Sequence, residues 1–198
     1  MTNTVLGLLR HGQTDWNIDL RLQGTTDIPM NEAGIAQISL AARSLPGAWD
    51  VILSSPLGRA KHSAQIVAEV LGHGEVIEEP LLLERSFGVG EGMTYEQWQH
   101  HYAQLEDIPG ADSKLVMKER SLRLLEEIQI RYAGSRVLAV SHGALIRFVL
   151  NEVSQGKIPP AGERLQNASL HIFRHSGAWS VDGWAPESLG SELPGDYK

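Results

Sequence analysis

Two histidine–glycine pairs in this 198-residue chain each close a short apolar run. Arg10-His11-Gly12 follows Val5 to Leu9, and Ser141-His142-Gly143 follows Val137 to Val140. Uninterrupted runs of this kind suit strands buried on both faces, as in a parallel sheet. A cation, an imidazole and a glycine at the C-terminal end of such a strand are not packing residues, and that edge of an open α/β sheet is where ligands bind. His11 has the chemistry of a nucleophile or base near neutral pH. Arg10 offers a planar fork of donors for phosphate or carboxylate. Gly12 lets the backbone turn and approach a ligand closely. Loops at strand ends are polar in any case, so the weight falls on two such ends occurring together and facing one crevice.

Other residues join this set by position. Arg59 falls in the first turn of a helix expected over Leu57 to Leu71, where a cation opposes the macrodipole. Either an anion sits at that helix N-terminus or the arginine is simply exposed. Glu84 follows three leucines directly, which makes it a candidate for a partly buried acid. The segment from Gln13 to Met30 reads as a long loop without a helix, containing Gln23-Gly24-Thr25-Thr26-Asp27-Ile28-Pro29; loops of that length are often functional.

The elements that must position these groups alternate. Strands are expected at Val5–Leu9, Val51–Leu53, Val76–Ile77, Val137–Val140 and Ser169–Arg174, the last near an edge. Helices are expected from Asn31 to Leu45 with Ala33, Ile38, Ala41, Ala42 and Leu45 inward, and over Leu57–Leu71 with Ala60, Ala64, Val67 and Leu71 inward. Further helices fit Met93–Leu105, Lys114–Tyr132 with Leu122, Leu125, Ile128 and Tyr132 inward, and a segment from Ala144 onward. Alternation of this kind predicts an α/β three-layer sandwich: a mainly parallel sheet with helices on both faces and right-handed crossovers. From Ser176 the chain is rich in Gly, Pro, Ser and Trp and reads as an extended tail.

Composition narrows the partners. The length fits one domain with a substantial core. The net charge of -7 implies no basic face, so nucleic acid is not expected. With no cysteine, disulfides and thiolate metal sites are excluded, which is compatible with a cytoplasmic protein. No apolar stretch is long enough to span a bilayer, and the first apolar run is too short for a signal peptide. His100-His101 could suggest a metal, but adjacent helical residues point to different faces; no metal is expected.

Leu8 to Asn17 (Leu-Leu-Arg-His-Gly-Gln-Thr-Asp-Trp-Asn) resembles the signature of the histidine phosphatase superfamily, the phosphoglycerate mutase-like proteins. Ser54 to Ala60 is similar to that family's second motif, Leu83-Glu84-Arg85 with Gly88 and Glu91-Gly92 to its third, and Val140 to Gly143 to its fourth. The four occur in order and span most of the chain. The resemblance implies a phosphoglycerate mutase-like fold over residues 1–198 as a single domain, with a helical cap segment at about 92–113 and the extended tail at about 176–198. It implies metal-independent phosphoryl transfer through a phosphohistidine, with His11 as nucleophile and Glu84 as proton donor. Arg10, Arg59 and His142 would bind the transferred group, with Asn17, Gln23, Gly24 and Gly143 in the phosphate- or substrate-binding set.

Phosphoryl transfer needs in-line geometry and charge stabilisation above all, and two guanidinium groups with an imidazole meet that need. The expected partner is a small phosphorylated metabolite, and a homodimer is compatible with the sequence. The short segment between Glu84 and His142 favours a phosphatase needing no cofactor. The Glu84-Arg85 pair resembles the mutase form of the motif, so the alternative is a mutase dependent on 2,3-bisphosphoglycerate. Trp98 and Tyr102, after Glu84, either shape a leaving-group pocket or pack within their helix. Two other classes stand beside these. Ala139 to Gly143 resembles a nucleophile elbow with Ser141 as nucleophile, for which Glu152 or Glu163 and His171 or His175 would have to complete a triad. A non-catalytic binding protein is the third.

Overall fold

The computed structural model describes residues 3–184. Six strands, β1 (Thr4–Arg10), β2 (Val51–Ser54), β3 (Ile77–Glu78), β4 (Arg136–Ser141), β5 (Leu170–His175) and β6 (Trp179–Trp184), form one sheet in the order β3-β2-β4-β1-β5-β6. The β3, β2, β4 and β1 set is parallel, as the apolar runs require, while β5 runs antiparallel to β1 and β6 antiparallel to β5. Helices α1 (Asp15–Ile18), α2 (Glu32–Arg43), α3 (Gly58–Leu71), α4 (Tyr95–His101), α5 (Lys114–Arg131) and α6 (Gly143–Ser154) lie around it.

The two-residue period of β1 divides the core. Val5 and Leu9 pack with Ile38, Ala41, Ala60, Ala64 and Val67 of α2 and α3. Leu6 and Leu8 pack on the other face with Leu124, Ile128, Leu145 and Val149 of α5 and α6. Gly7 interrupts the apolar run because Trp49 occupies its place: a Cβ there would stand 2.6 Å from the indole ring. The register sets β1 beside β4 with Arg10 opposite Ser141, and β2 beside β4 with Ser54 opposite Val140. Three C-terminal strand ends therefore open side by side.

Five sequence expectations are corrected. The 13–30 loop contains α1, whose N-cap Thr14 and Asn17 bond reciprocally, Asn17 N to Thr14 Oγ1 at 3.3 Å and Thr14 N to Asn17 Oδ1 at 3.1 Å. On α5 the buried face is Met117, Ser121, Leu124, Leu125 and Ile128, and Leu122 is exposed. Leu122 shares an i, i+3 spacing with Leu125, but it lies one residue, about 100°, past Ser121 on the helix. Ala33 and Leu71 likewise face solvent. Residues 179–184 are a sixth strand rather than the start of a tail, paired with β5 through a register shift at Ile172/Phe173. The rest of the expected tail, 185–198, lies outside the described residues. None of the described helices is long and apolar enough to cross a membrane.

Candidate active site

His11 prolongs the β1–β4 ladder by one residue, its N–H donating to Ser141 O at 3.0 Å. Its ring is buried, and Nδ1 lies 2.7 Å from the carbonyl oxygen of Gly12. A carbonyl only accepts, so Nδ1 carries the proton and Nε2 keeps its lone pair. Burial first, then the charges of Arg59 and Arg10, hold the imidazolium well below the usual histidine range, against a smaller upward pull from the Gly12 bond. The ring is therefore neutral at neutral pH. Gly12 is required by its neighbours: a Cβ there would lie 2.3 Å from the carbonyl oxygen of Gly34 at the start of α2.

His142 is the N-cap residue of α6, fully buried, with its ring centroid 5.1 Å from that of His11. Its Nε2 pairs with Ser55 Oγ at 2.7 Å. Burial, then Arg59, His11 and Arg10, push its pKa well down. Arg10 lies against Gly143, where a Cβ would stand 3.4 Å from Nε, and its Nη1 donates to Leu165 O. Burial lowers its pKa to about 10 against the opposing pull of Glu84, so it remains a cation at neutral pH. Among the described residues, Arg10 Nε, Arg59 Nε and His142 Nδ1 are buried nitrogens without a protein hydrogen-bond partner. Buried polar groups are ordinarily satisfied, so these three nitrogens, two of them on cations, are free to meet a bound group.

Arg59 is 1% exposed, which removes the reading of a solvent-facing arginine. Its Nη1 donates to Thr26 O at 2.9 Å and Nη2 to Gly24 O at 2.7 Å. Burial lowers its pKa, and Glu84, Asp27 and Glu91 oppose that fall. Leu57, the N-cap residue of α3, offers no side-chain cap bond. Asp27 supplies one from the 13–30 loop, accepting from Gly58 N at 2.8 Å and lying 3.8 Å from Arg59 Nη1. The anion that the helix terminus calls for is thus partly built into the chain.

Glu84 lies against the first turn of α6. Oε1 accepts from Arg85 N at 2.9 Å and Leu145 N at 3.2 Å, and Oε2 from Ala144 N at 3.2 Å. The carboxyl group thus serves helix N-terminal amides immediately after His142. Arg120 on α5 braces its backbone, donating to Glu84 O at 3.1 Å and to Asp112 Oδ2 at 3.0 Å.

The remaining expected residues form one network. Asn17 Nδ2 donates to Gln23 Oε1 at 3.5 Å, and Gln23 Nε2 to Thr14 Oγ1 at 3.0 Å. Gly24, at φ +57°, gives its carbonyl to Arg59. Asn167, which the sequence reading missed, donates to His11 O at 3.0 Å and to Asn17 Oδ1 at 3.1 Å. Nothing local marks it: it lies 156 residues from His11 in an irregular stretch before β5. The structure thus links Arg10, His11, Asn17, Gln23, Gly24, Arg59, Glu84, His142 and Gly143 directly or through shared neighbours.

Other candidates separate from it. Ser141 is buried with its hydroxyl donating to Leu82 O at 2.8 Å, so it is not presented as a nucleophile. His171 pairs with Ser169 Oγ and His175 packs on Trp179. Trp98 is buried in the core, edge-on to Tyr95. An open groove of about 530 Å³ beside α4 is bordered by Trp16, Met93, Gln97 and His101 rather than by Trp98 or Tyr102. Among the described residues no group of three or more His, Asp or Glu is placed to hold a metal ion.

Comparison with known proteins shows what the chain as a whole is similar to. The family model for the histidine phosphatase superfamily (branch 1) matches residues 6–186. The chain is 36% identical over 197 residues to the uncharacterized phosphatase PhoE of Bacillus subtilis, covering 98% of this chain and 100% of that protein. It is 31% identical to the metal-independent phosphoserine phosphatase of Arabidopsis thaliana, covering 93% and 82%. To a probable phosphoglycerate mutase GpmB of Serratia proteamaculans it is 35% identical, covering 92% and 91%. Among solved structures, a phosphoserine phosphatase mutant from Entamoeba histolytica bound to phosphoserine superposes with a TM-score of 0.79 at 28% identity, covering 91% of this chain and 96% of that one.

Proposed function

The chain belongs to branch 1 of the histidine phosphatase superfamily, and we propose that it is a metal-independent phosphomonoesterase acting through a phosphohistidine at His11 on small phosphorylated metabolites. The observation that carries this reading is the neutral His11 ring, with Nδ1–H committed to Gly12 O and the Nε2 lone pair available. In the first step Nε2 attacks phosphorus in line, the N–P bond forms and the ester P–O bond breaks. Glu84 gives its proton to the departing alkoxide. In the second step water attacks the phosphohistidine, Glu84 takes the water proton, and the P–N bond breaks to release phosphate and neutral His11.

Arg10, Arg59 and His142 surround the transferred group, where fixed donors stabilise the charge spread over its equatorial oxygens. Asn17, Gln23, Gly24 and Gly143 shape the same cradle: Gly143 leaves room for Arg10, and Gly24 gives its carbonyl to Arg59. We place the cap at about residues 92–113, supported by the bridges Arg21–Thr94 and Phe87–Ala111, which pair each of its ends with a residue outside it. The relatives named as phosphatases, one of them metal-independent, support the same reaction class.

The test is hydrolysis of p-nitrophenyl phosphate in the presence of a chelator, with mass analysis of enzyme quenched in alkali. Free phosphate and a phosphoryl group on the peptide containing His11 are expected. Activity that disappears with chelator, or a phosphoryl group on Ser141, overturns the reading. A second reading, a 2,3-bisphosphoglycerate-dependent mutase, is favoured by Arg85, buried directly after Glu84 with Nη2 unpartnered among the described residues. The relatives named as probable phosphoglycerate mutases point the same way. Conversion of 3-phosphoglycerate to 2-phosphoglycerate that requires the bisphosphate would establish it.

A further inference from the structure

Glu91 lies outside the cradle, yet its carboxylate is saturated with donors. Oε1 accepts from Thr25 N at 2.9 Å, Thr25 Oγ1 at 3.2 Å and Phe87 N at 3.2 Å. Oε2 accepts from Thr26 N at 2.8 Å and from Thr26 Oγ1. Two of the amides it holds, Thr25 N and Thr26 N, belong to the same short stretch whose carbonyls, Gly24 O and Thr26 O, receive the two terminal nitrogens of Arg59. One side of the 24–26 loop is therefore bonded to Glu91 and the other to Arg59. The loop is built around the carboxylate: a Cβ on Gly24 would stand 2.1 Å from Oε1. Burial would raise the pKa of Glu91, but the bonds from Thr26, Thr25 and Phe87 outweigh it and carry the pKa down. The group is thus an anion throughout the neutral range.

We infer that Glu91 is a positioning residue for phosphoryl transfer: through the 24–26 loop it fixes the angle at which Arg59 presents its guanidinium to the phosphoryl group. This rests on the function proposed above. Glutamine cannot take over the role, because its amide nitrogen would turn donors toward the threonine donors.

The test is a double-mutant cycle with Glu91→Gln, Arg59→Met and the pair, each folded by circular dichroism. Two readouts are used: kcat/KM for p-nitrophenyl phosphate and the Kd for inorganic phosphate. Glu91→Gln alone is expected to lower kcat/KM by about 10- to 100-fold, up to the cost of misplacing a catalytic group by about 1 Å, and to weaken phosphate binding. In the Arg59→Met background the same change is expected to cost less than about twofold, because residues that act as a unit are not additive. Thr26→Val, which removes only one hydroxyl bond, is expected to give a smaller loss with the same non-additivity, and it carries the test should Glu91→Gln fail to fold. Equal losses in both backgrounds, or no loss in the first, overturn the role. If the wild-type protein hydrolyses nothing, the proposed function fails, while the phosphate Kd still decides whether Glu91 acts through Arg59.

Discussion

His171 should make the protein acid-sensitive in a way that one substitution removes. The ring is fully buried on β5, stacked on Trp184, with Nε2 3.1 Å from Ser169 Oγ. Burial, and then the charge of Arg10, lower its pKa from 6.5 to about 4. The sign follows from proton counting. Above pH 6.5 the ring is neutral in both states and contributes nothing to the pH dependence. Below it the unfolded chain binds a proton that the folded chain refuses, so stability falls with pH until the folded ring also protonates near pH 4. At pH 4.5 the loss is about 2.5 kcal/mol, from about 1.4 kcal/mol per pKa unit over most of the shift. His171→Gln keeps a polar partner for Ser169 and removes the titration. Urea unfolding at pH 7.5 and 4.5 is the assay. The wild type should lose about 2.5 kcal/mol more than the variant between the two pH values, a difference of about 1 M in midpoint. His11 and His142 push in the same direction but are present in both proteins and cancel. Equal acid sensitivity in the two would refute the reasoning.

Three further outcomes are expected. His11→Asn should lower kcat by about four orders of magnitude or more, as loss of a covalent nucleophile does, and abolish the phosphoenzyme, read by stopped assays and mass. Glu84→Gln should slow alkyl phosphates by about 10²- to 10⁴-fold, the range for a general acid, and p-nitrophenyl phosphate far less, because nitrophenolate leaves without a proton. Gly34→Ala places a Cβ 2.2 Å from Gln13 O, a clash with backbone that cannot rotate away. It should cost about 3 kcal/mol, or roughly 6–12 °C in melting temperature, measured by thermal denaturation.

The candidate reacting groups stood out in the sequence because each is out of place where it stands, and their roles came from the resemblance to the histidine phosphatase motifs. An arginine and a histidine after Leu9, a histidine after Ser141, a cation in the first turn of α3 and a carboxylate after three leucines all conflict with local propensity, and such conflicts concentrate at functional sites. The layered fold was legible for the complementary reason: β1 and β4 are apolar runs that suit strands buried on both faces, and Ala60, Ala64 and Val67 of α3 recur at helical spacing on one face. α1 was not, because four residues are too few to show a period of 3.6. β6 was not, because Trp179–Trp184 carries no apolar run and its pairing with β5 shifts register at Ile172/Phe173.

The roles of the supporting residues were hidden by a different cause, even though Asp27 and Glu91 stand in stretches that the sequence singles out. Asp27, Glu91, Arg120 and Asn167 are ordinary polar residues in loops or on a helix, and their meaning lies in partners 31 to 156 residues away. A nucleophile must have a particular chemistry, which restricts its residue type. A positioning group needs only the right number of donors or acceptors at the right point, and the fold alone decides which residue arrives there. Arg59 joins the two cases. Its presence at a helix N-terminus could be read as a request for an anion. That Asp27 answers part of it, while Glu91 sets the guanidinium's angle from the far side of the 24–26 loop, follows only from the tertiary contacts. Substitutions behind Arg59 should therefore alter phosphate affinity and turnover while every residue of the four sequence motifs that touches the phosphoryl group stays intact.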